Sequence, residues 1–282
     1  MSMERIWLVT GAASGLGRAI SQAALAAGDT VVLTDRATEG AQDLASAHPG
    51  RTAVHQLDIT DAAGIDDVIT QVIERFGRID VLVNAAGRGH YGAVEETTER
   101  ELRSLMELHF FGPAALTKAV LPHMRRRRSG AIVQISSLAG QISSPGLSAY
   151  SAGKFAIEGH AVALAQEVAP LGIKVMLVEP GSFRTNFGGA AVSESTPIDA
   201  YDDTVRVQRD ALAKIAGKQP GDPAKAATAI LTALASDDTP LRLPLGNDAL
   251  DLITSAAKKT HDDHVTWESV IRSTDFDDYD ES

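Results

Sequence analysis

Cysteine is absent from this chain of 282 residues, which excludes disulfide bonds, thiolate catalysis and cysteine-bound metals. Aromatic residues are scarce, at 5%, and no apolar run approaches the roughly 20 residues that cross a bilayer. Basic residues are also outnumbered, since 26 Lys and Arg against 37 Asp and Glu give a formal net charge of −11. A negative charge of this size disfavours nucleic acid and anionic membranes as partners.

Two local clusters stand out from this composition. The basic run 125–128 follows an apolar helix, so we interpret it as a solvated complement to the helix C-terminus, with a polyanion site as the alternative. His261 and His264 lie among acidic residues, which indicates a solvated helix face, and no metal site is predicted. A strand is expected to begin by about Arg5, which leaves no room for a signal peptide, and we expect a cytoplasmic protein.

Short apolar runs alternate with helical stretches along the chain. Strands are predicted at 6–9, 30–34, 53–57, 81–84, 131–135, 174–178 and 241–245. This alternation predicts an α/β fold, a single doubly wound Rossmann-type domain with a parallel sheet flanked by helices on both faces. The domain is predicted to span 1–246, including a substrate-loop region at 182–216. Residues 247–282 are predicted to extend the same domain, with helices at 249–259 and 267–272 and an acidic tail.

A glycine-rich segment, Thr10-Gly11-Ala12-Ala13-Ser14-Gly15-Leu16-Gly17, separates the first strand from an alanine-rich helix. Glycine permits a tight turn and lets the backbone approach a ligand closely. The helix N-terminus offers free N–H groups and a positive dipole end. These features favour binding of a dinucleotide pyrophosphate, and an ordinary glycine turn is the alternative.

The end of the second strand bears on the choice of cofactor. Asp35 can hydrogen-bond a ribose 2′-hydroxyl and would repel a 2′-phosphate. Arg36 has the opposite preference, because its guanidinium can bind that phosphate. We predict that NAD is preferred and that NADP is possible.

Tyr150 and Lys154 are four residues apart and would share one helix face. A phenol normally titrates near pH 10, so it can exchange protons at neutral pH only if a nearby positive charge stabilises its anion. Lys154 supplies that charge. Ser136 and Ser137 lie a short loop upstream, and a serine hydroxyl can hold a substrate oxygen beside the phenol. This arrangement predicts carbonyl and alcohol chemistry.

Taken in order, these motifs resemble the short-chain dehydrogenase/reductase family over about 5–246. The resemblance rests on the glycine loop, Asp58-Ile59, Asn84-Ala85-Ala86-Gly87, Ser137, Tyr150 with Lys154, and Pro180-Gly181 followed by Thr185. It implies that the catalytic residues are Ser137, Tyr150 and Lys154. It implies cofactor contacts from Gly11, Ser14, Gly15, Leu16, Gly17, Asp35, Arg36, Asp58, Ile59, Asn84, Ala85, Ala86, Gly87, Tyr150, Lys154, Pro180, Gly181, Phe183 and Thr185. It also implies a homodimer or homotetramer paired through the helices around 111–124 and 150–169.

One position departs from the family pattern. Members usually carry an asparagine in the fourth helix that holds a water connected to the catalytic lysine, and His109 takes its place here. Histidine also donates and accepts hydrogen bonds, so the relay could persist. Alternatively, His109 only satisfies backbone groups at a helix irregularity near Pro113. Ala85 is a milder change, since it replaces the second asparagine of the common form.

The substrate pocket is expected to be apolar. Its predicted residues are Ser137, Leu138, Ile142, Leu147, Tyr150, Phe183 and Phe187. They favour a hydrophobic secondary alcohol or ketone, such as a steroid-like or aromatic one, over a sugar. The substrate-loop region is predicted to close as a lid that excludes water, with an ungated surface loop as the alternative.

These observations predict an NAD(P)-dependent oxidoreductase that interconverts a secondary alcohol and a ketone, with Tyr150 as general acid and base. A non-catalytic dinucleotide-sensing or scaffolding protein of the same fold is the alternative from another class. The intact Ser137, Tyr150 and Lys154 argue against it, because a sensor needs none of them. An epimerase or dehydratase that oxidises its substrate transiently is a further alternative.

Overall fold

The computed structural model describes residues 4–185, 187 and 192–276. Nine β-strands lie in this part of the chain: β1 Ile6–Thr10, β2 Thr30–Asp35, β3 Thr52–Gln56, β4 Val81–Asn84, β5 Gly89–Tyr91, β6 Gly130–Ile135, β7 Ile173–Pro180, β8 Val192–Glu194 and β9 Arg242–Leu245. The α-helices there are α1 Gly15–Ala26, α2 Gln42–Ala47, α3 Ala62–Phe76, α4 Glu99–Met106, α5 Gly112–Arg127, α6 Ser148–Val168, α7 Val207–Ile215, α8 Pro223–Ala235 and α9 Asn247–Arg272.

Seven strands form one parallel sheet in the order β3-β2-β1-β4-β6-β7-β9. The predicted α/β, doubly wound fold is therefore confirmed. The chain moves outward in one direction from β1 to β3 and then returns to build the other half from β4. Ligands of such sheets bind beyond the carboxyl ends of the strands, where the order reverses.

Two apolar layers cover the sheet, because alternate residues of a strand point to opposite faces. In β1, Trp7 and Val9 pack with α1 and α8, whereas Leu8 packs with α3, α5 and α6. All three side chains are fully buried. This two-sided burial explains why the strands appear in the sequence as continuous apolar runs rather than alternating ones.

Three features differ from the sequence expectations. Strands β5 and β8 form a separate two-stranded parallel sheet, and strands of three residues carry no detectable periodicity. A π-helical turn at Glu107–Phe111 joins α4 to α5, where the sequence indicated only, as an alternative, an unspecified helix irregularity near Pro113. The helical extension is one continuous helix, α9, rather than two. Within its polar middle, Lys258 and Asp262 form an (i, i+4) ion pair at 2.8 Å, which adds a small stabilisation to the helix.

Helix α9 packs on the domain only through its first turns. Ala249 is its one buried residue, and the helix is exposed from 257 to its end. The predicted acidic tail lies mostly outside the described residues, from 277 onward. No helix in the described part of the chain is long and apolar enough to traverse a lipid bilayer.

Candidate active site

At Gly11 and Gly17 the glycine loop is packed too tightly to accept side chains. A Cβ on Gly17 would lie 2.3 Å from the carbonyl oxygen of Gly11. A Cβ on Gly11, whose φ is +66°, would lie 2.9 Å from the backbone of Ala86. Thr10 fixes the same contact, because its hydroxyl oxygen accepts hydrogen bonds from the N–H groups of Ala85 and Ala86 at 3.0 and 3.1 Å. The loop is thus held against the end of β4.

The N-terminus of α1 faces an open cleft. Ser14 is the N-cap but its side chain makes no capping hydrogen bond within the described residues. Donors of the first helical turn therefore stay available for an anion. Thr185 lies next to Gly15, because a Cβ added at Gly15 would be 3.6 Å from the Cβ of Thr185. The cleft has a volume of about 450 Å³ and its lining includes Ser14, Gly15, Arg18, Arg184 and Thr185. Leu16 packs instead against the core. Free donors and a closely approaching backbone fit a dinucleotide pyrophosphate.

Asp35 lies beside this loop at the end of β2. One of its carboxylate oxygens accepts from Ala13 N–H at 3.2 Å and the other from Arg36 N–H at 2.8 Å. Arg36 is exposed. The positive charge of Arg36 also acts on Asp58. Burial opposes ionisation of Asp58, but hydrogen bonds from Thr60 and the Arg36 charge hold the Asp58 pKa below its usual value.

The remaining predicted cofactor residues lie at the ends of neighbouring strands. Asn84 is buried and its amide donates to the side-chain oxygen of Gln134 at 2.9 Å. Ile59 is buried, and its carbonyl oxygen packs against Gly112. A Cβ added at Gly112 would lie 2.5 Å from that oxygen. Gly181 follows Pro180 and donates to the Leu245 carbonyl at 2.9 Å.

Tyr150, Lys154 and Ser137 come together at one point. Tyr150 and Lys154 lie one turn apart on α6 and are only 6% and 5% exposed. The Lys154 ammonium nitrogen is 5.7 Å from the centre of the Tyr150 ring, and it donates to the Ile135 carbonyl at 2.8 Å. The Ser137 hydroxyl is near enough to the phenol to lower its pKa, and it accepts from Ala139 N–H at 3.1 Å.

Burial dominates the protonation of this cluster. It raises the pKa of the Tyr150 phenol well above its ordinary value, while the Ser137 hydrogen bond opposes the rise and the nearby phenol of Tyr91 adds to it. Burial also lowers the pKa of Lys154 to about 8, with the Glu158 carboxylate opposing. The depressed phenol pKa expected from Lys154 is therefore not the net outcome, because desolvation is the largest influence on this buried phenol. The protonated phenol is the form that can donate to a carbonyl.

His109 lies in the π-helical turn and is 2% exposed. Its Nε2 donates to the Arg88 carbonyl at 2.9 Å. Its ring meets Tyr150 edge to face, with centroids 5.2 Å apart, and it also lies against Gly87. Burial, followed by the charge of Lys154, lowers the pKa of His109 well below its usual value. Nδ1 is then an acceptor, and it has no hydrogen-bond partner among the described residues.

The structure does not bring all of the predicted substrate residues to Tyr150. Phe187 lies beside Tyr150, with ring centroids 5.7 Å apart. Leu138, Ile142 and Leu147 are half-buried on the segment between Ser137 and α6. Phe183 is not brought to Tyr150, since it pairs with Gly221 and packs in the layer of α1 and α8.

The substrate-loop region is tied to the body of the domain. His90 of β5 hydrogen-bonds the hydroxyls of Ser193 and Ser195, both at 3.0 Å. Arg209 of α7 lies 3.9 Å from Glu96 and 3.6 Å from Glu194. These contacts join the described part of this region to β5 and to the segment that precedes α4.

The sequence analysis did not identify two residues that lie near this site. Tyr91 is half-buried and close enough to Tyr150 to affect its pKa, and it lies on a strand too short to detect. Glu158 follows Lys154 by one turn of α6. The (i, i+4) spacing of this pair was a usable signal.

A family model described as short chain dehydrogenase matches residues 5–195. Oxidoreductase BOA17 of Botryotinia fuckeliana is 38% identical over 267 residues, which cover 94% of this chain and 97% of that protein. A 3-ketodihydrosphingosine reductase of Bacteroides thetaiotaomicron is 42% identical over 183 residues, 65% of each protein. The crystal structure of a short-chain dehydrogenase from Streptomyces avermitilis is 55% identical and superposes with a TM-score of 0.93, over 97% of this chain and 100% of that one. Two less similar structures, 21% and 26% identical with TM-scores of 0.79 and 0.73, contain NAD and NADP respectively.

Proposed function

The chain belongs to the short-chain dehydrogenase family of oxidoreductases, and we propose that it interconverts a hydrophobic secondary alcohol and the corresponding ketone. The observation that carries the proposal is the meeting of Tyr150, Lys154 and Ser137 at one point of the sheet edge. Similar structures contain NAD or NADP, which supports a nicotinamide dinucleotide as the cofactor. When bound, it supplies or accepts the hydride.

The side chains carry the proton half of the reaction. In reduction, the Tyr150 hydroxyl donates its proton to the oxygen of the carbonyl, and in oxidation the phenolate takes that proton back. Ser137 orients the substrate oxygen through its hydroxyl. The Lys154 ammonium stabilises the phenolate that reduction leaves behind.

His109 is proposed to take part in proton exchange with Lys154. Its ring lies beside Tyr150, and its Nδ1 is a buried acceptor without a hydrogen-bond partner among the described residues, as a relay through water would need. The hydrogen bond to the Arg88 carbonyl fits a purely structural role equally well.

The apolar side chains around Tyr150 support a hydrophobic substrate. Phe187 lies beside the ring, and the half-buried Leu138 and Leu147 lie on the segment that connects Ser137 to α6. The similarity to a 3-ketodihydrosphingosine reductase supports a ketone. Pairing of two copies through α5 and α6 is proposed as well, since Phe111, directly before α5, and Phe155 of α6 are 50% and 47% exposed.

The proposed reaction is tested with a panel of ketones and alcohols. Steroid-like, aromatic, long-chain aliphatic and sugar substrates are combined with NAD(H) and with NADP(H), and the absorbance of the reduced nicotinamide is followed. We expect turnover of the apolar ketones and little of the sugars. Dinucleotide binding without turnover of any substrate would favour the sensing protein. A tightly held dinucleotide with product but no absorbance change would favour an epimerase or dehydratase.

We propose that NAD is preferred because the Asp35 carboxylate lies at the loop. Asp35→Asn keeps an acceptor for Ala13 N–H but removes the negative charge. The ratio of kcat/KM for NADP to that for NAD is expected to rise about tenfold or more, since 1.4 kcal/mol of relieved repulsion corresponds to tenfold. Arg36→Gln is the matched variant and should move the ratio the other way. An unchanged ratio in Asp35→Asn would exclude Asp35 as the selecting residue.

A further inference from the structure

The segment 181–185 follows β7 and has an irregular backbone, apart from an isolated bridge at Phe183. Two of its residues, Arg184 and Thr185, line the cleft at the N-terminus of α1. A segment outside the regular helices and strands depends on neighbouring elements for its hydrogen bonds, and so for its position. The groups that hold this segment therefore shape the cleft.

One support comes from the residues before α8. The Gly221 N–H donates to the Ser182 carbonyl at 3.0 Å, and the Gly221 carbonyl accepts from Arg184 N–H at 2.9 Å. The Phe183 ring packs on Gly221, where an added Cβ would lie 2.7 Å from the ring. These contacts leave the N–H of Ser182 to a different partner.

That partner is Asp248, in the first turn of α9. Its Oδ2 atom accepts from Ser182 N–H at 2.7 Å. The neighbouring Gly181 N–H donates to the carbonyl of Leu245, at the end of β9, at 2.9 Å. A Cβ on Gly181 would lie 2.5 Å from the same Oδ2 atom, so the carboxylate fills the space beside this glycine. The first turn of α9 thus holds the start of the segment.

The strand order relates this segment to one half of a dinucleotide. Asp35 ends β2, on one side of β1, whereas Ser137 follows β6 and the segment 181–185 follows β7, both on the other side. A dinucleotide with its adenosine ribose at Asp35 and its pyrophosphate at the N-terminus of α1 would extend its nicotinamide half toward β6 and β7. Asp248 therefore supports the nicotinamide side of the cleft.

We propose that Asp248 is a positioning residue, which holds the segment 181–185 in the place that the nicotinamide half requires. The inference rests on the proposed function, in which a nicotinamide dinucleotide binds in this cleft. It assigns the first turn of α9 to the site, although most of that helix is exposed. A competing role is purely structural, because an acidic residue in the first turn also stabilises a helix through its dipole.

The test compares three variants of the full chain. Asp248→Ala removes the acceptor, and Asp248→Asn removes the charge but keeps a side-chain oxygen for Ser182 N–H. Asp251→Ala removes an exposed carboxylate from the same helix. Dissociation constants for NADH and for AMP, which contains only the adenosine half, are measured by titration calorimetry. Hydrogen exchange of the Ser182 amide is followed by NMR in the protein without ligand.

We expect Asp248→Ala to weaken NADH binding by about tenfold or more, since a hydrogen bond to a carboxylate is among the stronger ones. AMP binding should stay nearly unchanged. The Ser182 amide should exchange about tenfold faster or more, because it loses its acceptor. Asp248→Asn should retain most of the affinity for NADH, and Asp251→Ala should change none of the three quantities.

Three results would each overturn the proposal. Equal losses of NADH and AMP affinity in Asp248→Ala would indicate a general loss of structure. Equal NADH affinities in Asp248→Asn and Asp248→Ala would indicate that the negative charge acts through the helix dipole. Unchanged exchange at Ser182 would show that Asp248 does not hold the segment.

Gly181→Ala covers the case in which Asp248→Ala fails to fold. Its methyl group would displace the Asp248 carboxylate, so the Ser182 amide should again exchange faster, and an unchanged rate would contradict the proposal. Because exchange is read without ligand, it judges the hold of Asp248 on the segment by itself. Failure of the unmodified protein to bind NADH would count against the proposed function, whereas NADH binding that is equally tight in Asp248→Ala would count against Asp248 alone.

Discussion

Replacing Tyr150 with phenylalanine is expected to lower kcat for ketone reduction by about 10²–10⁴-fold, the range typical for loss of a general acid. The variant removes one hydroxyl and keeps the ring. The edge-to-face contact with His109 and the contact with Phe187 therefore persist. We expect normal folding and little change in the dissociation constant for NADH, measured by fluorescence titration.

Tyr201→Phe is the matched control, since it also removes one phenol from the chain. The Tyr201 hydroxyl donates to Glu95 and makes no hydrogen bond to Tyr150. Because Tyr201 lies in the predicted substrate-loop region, the turnover of Tyr201→Phe is expected to fall far less than that of Tyr150→Phe rather than to stay unchanged. Full turnover in Tyr150→Phe would remove Tyr150 from the mechanism, and the proton donor would then have to be sought elsewhere, first at Tyr91.

The sheet could be predicted because each buried strand is a short apolar run between polar turns. The observed strands β1 to β4, β6, β7 and β9 begin and end within two residues of the predicted bounds. Strands β5 and β8 could not be predicted in this way. Their pairing depends on His90 reaching Ser193 and Ser195, more than 100 residues away along the chain. Tertiary contacts of this kind leave no local pattern.

The positions of the candidate catalytic residues followed from spacing, but their energetics did not. The (i, i+4) spacing places Lys154 beside Tyr150. It does not show that both side chains are almost fully buried, and burial reverses the expected direction of the phenol pKa. The ion pair between Glu158 and Arg242 was equally hidden, because 84 residues of sequence separate the two.

The glycine loop yields the second large expected effect. In Gly17→Ala the new methyl group would lie 2.3 Å from the Gly11 carbonyl oxygen. Gly11 cannot move away, because it is itself packed against the backbone of Ala86. We expect the free energy of unfolding in urea to fall by about 1–3 kcal/mol, as for overpacked sites. The displaced loop should also weaken dinucleotide binding by about tenfold or more, which corresponds to a loss of about 1.4 kcal/mol.

Gly159→Ala separates this steric effect from a general effect of alanine in a helix. Gly159 lies on the exposed side of α6, and a Cβ there would meet no heavy atom within 4 Å. This variant should be more stable by about 0.5–1 kcal/mol, because alanine forms helices better than glycine, and its affinity for NADH should not change. If the two alanine variants bound NADH equally well, the close packing of the loop could not be what shapes the dinucleotide site. If Gly17→Ala lowers stability and NADH affinity while Gly159→Ala raises stability and leaves affinity unchanged, glycine is required at position 17 because of its contact with the Gly11 backbone.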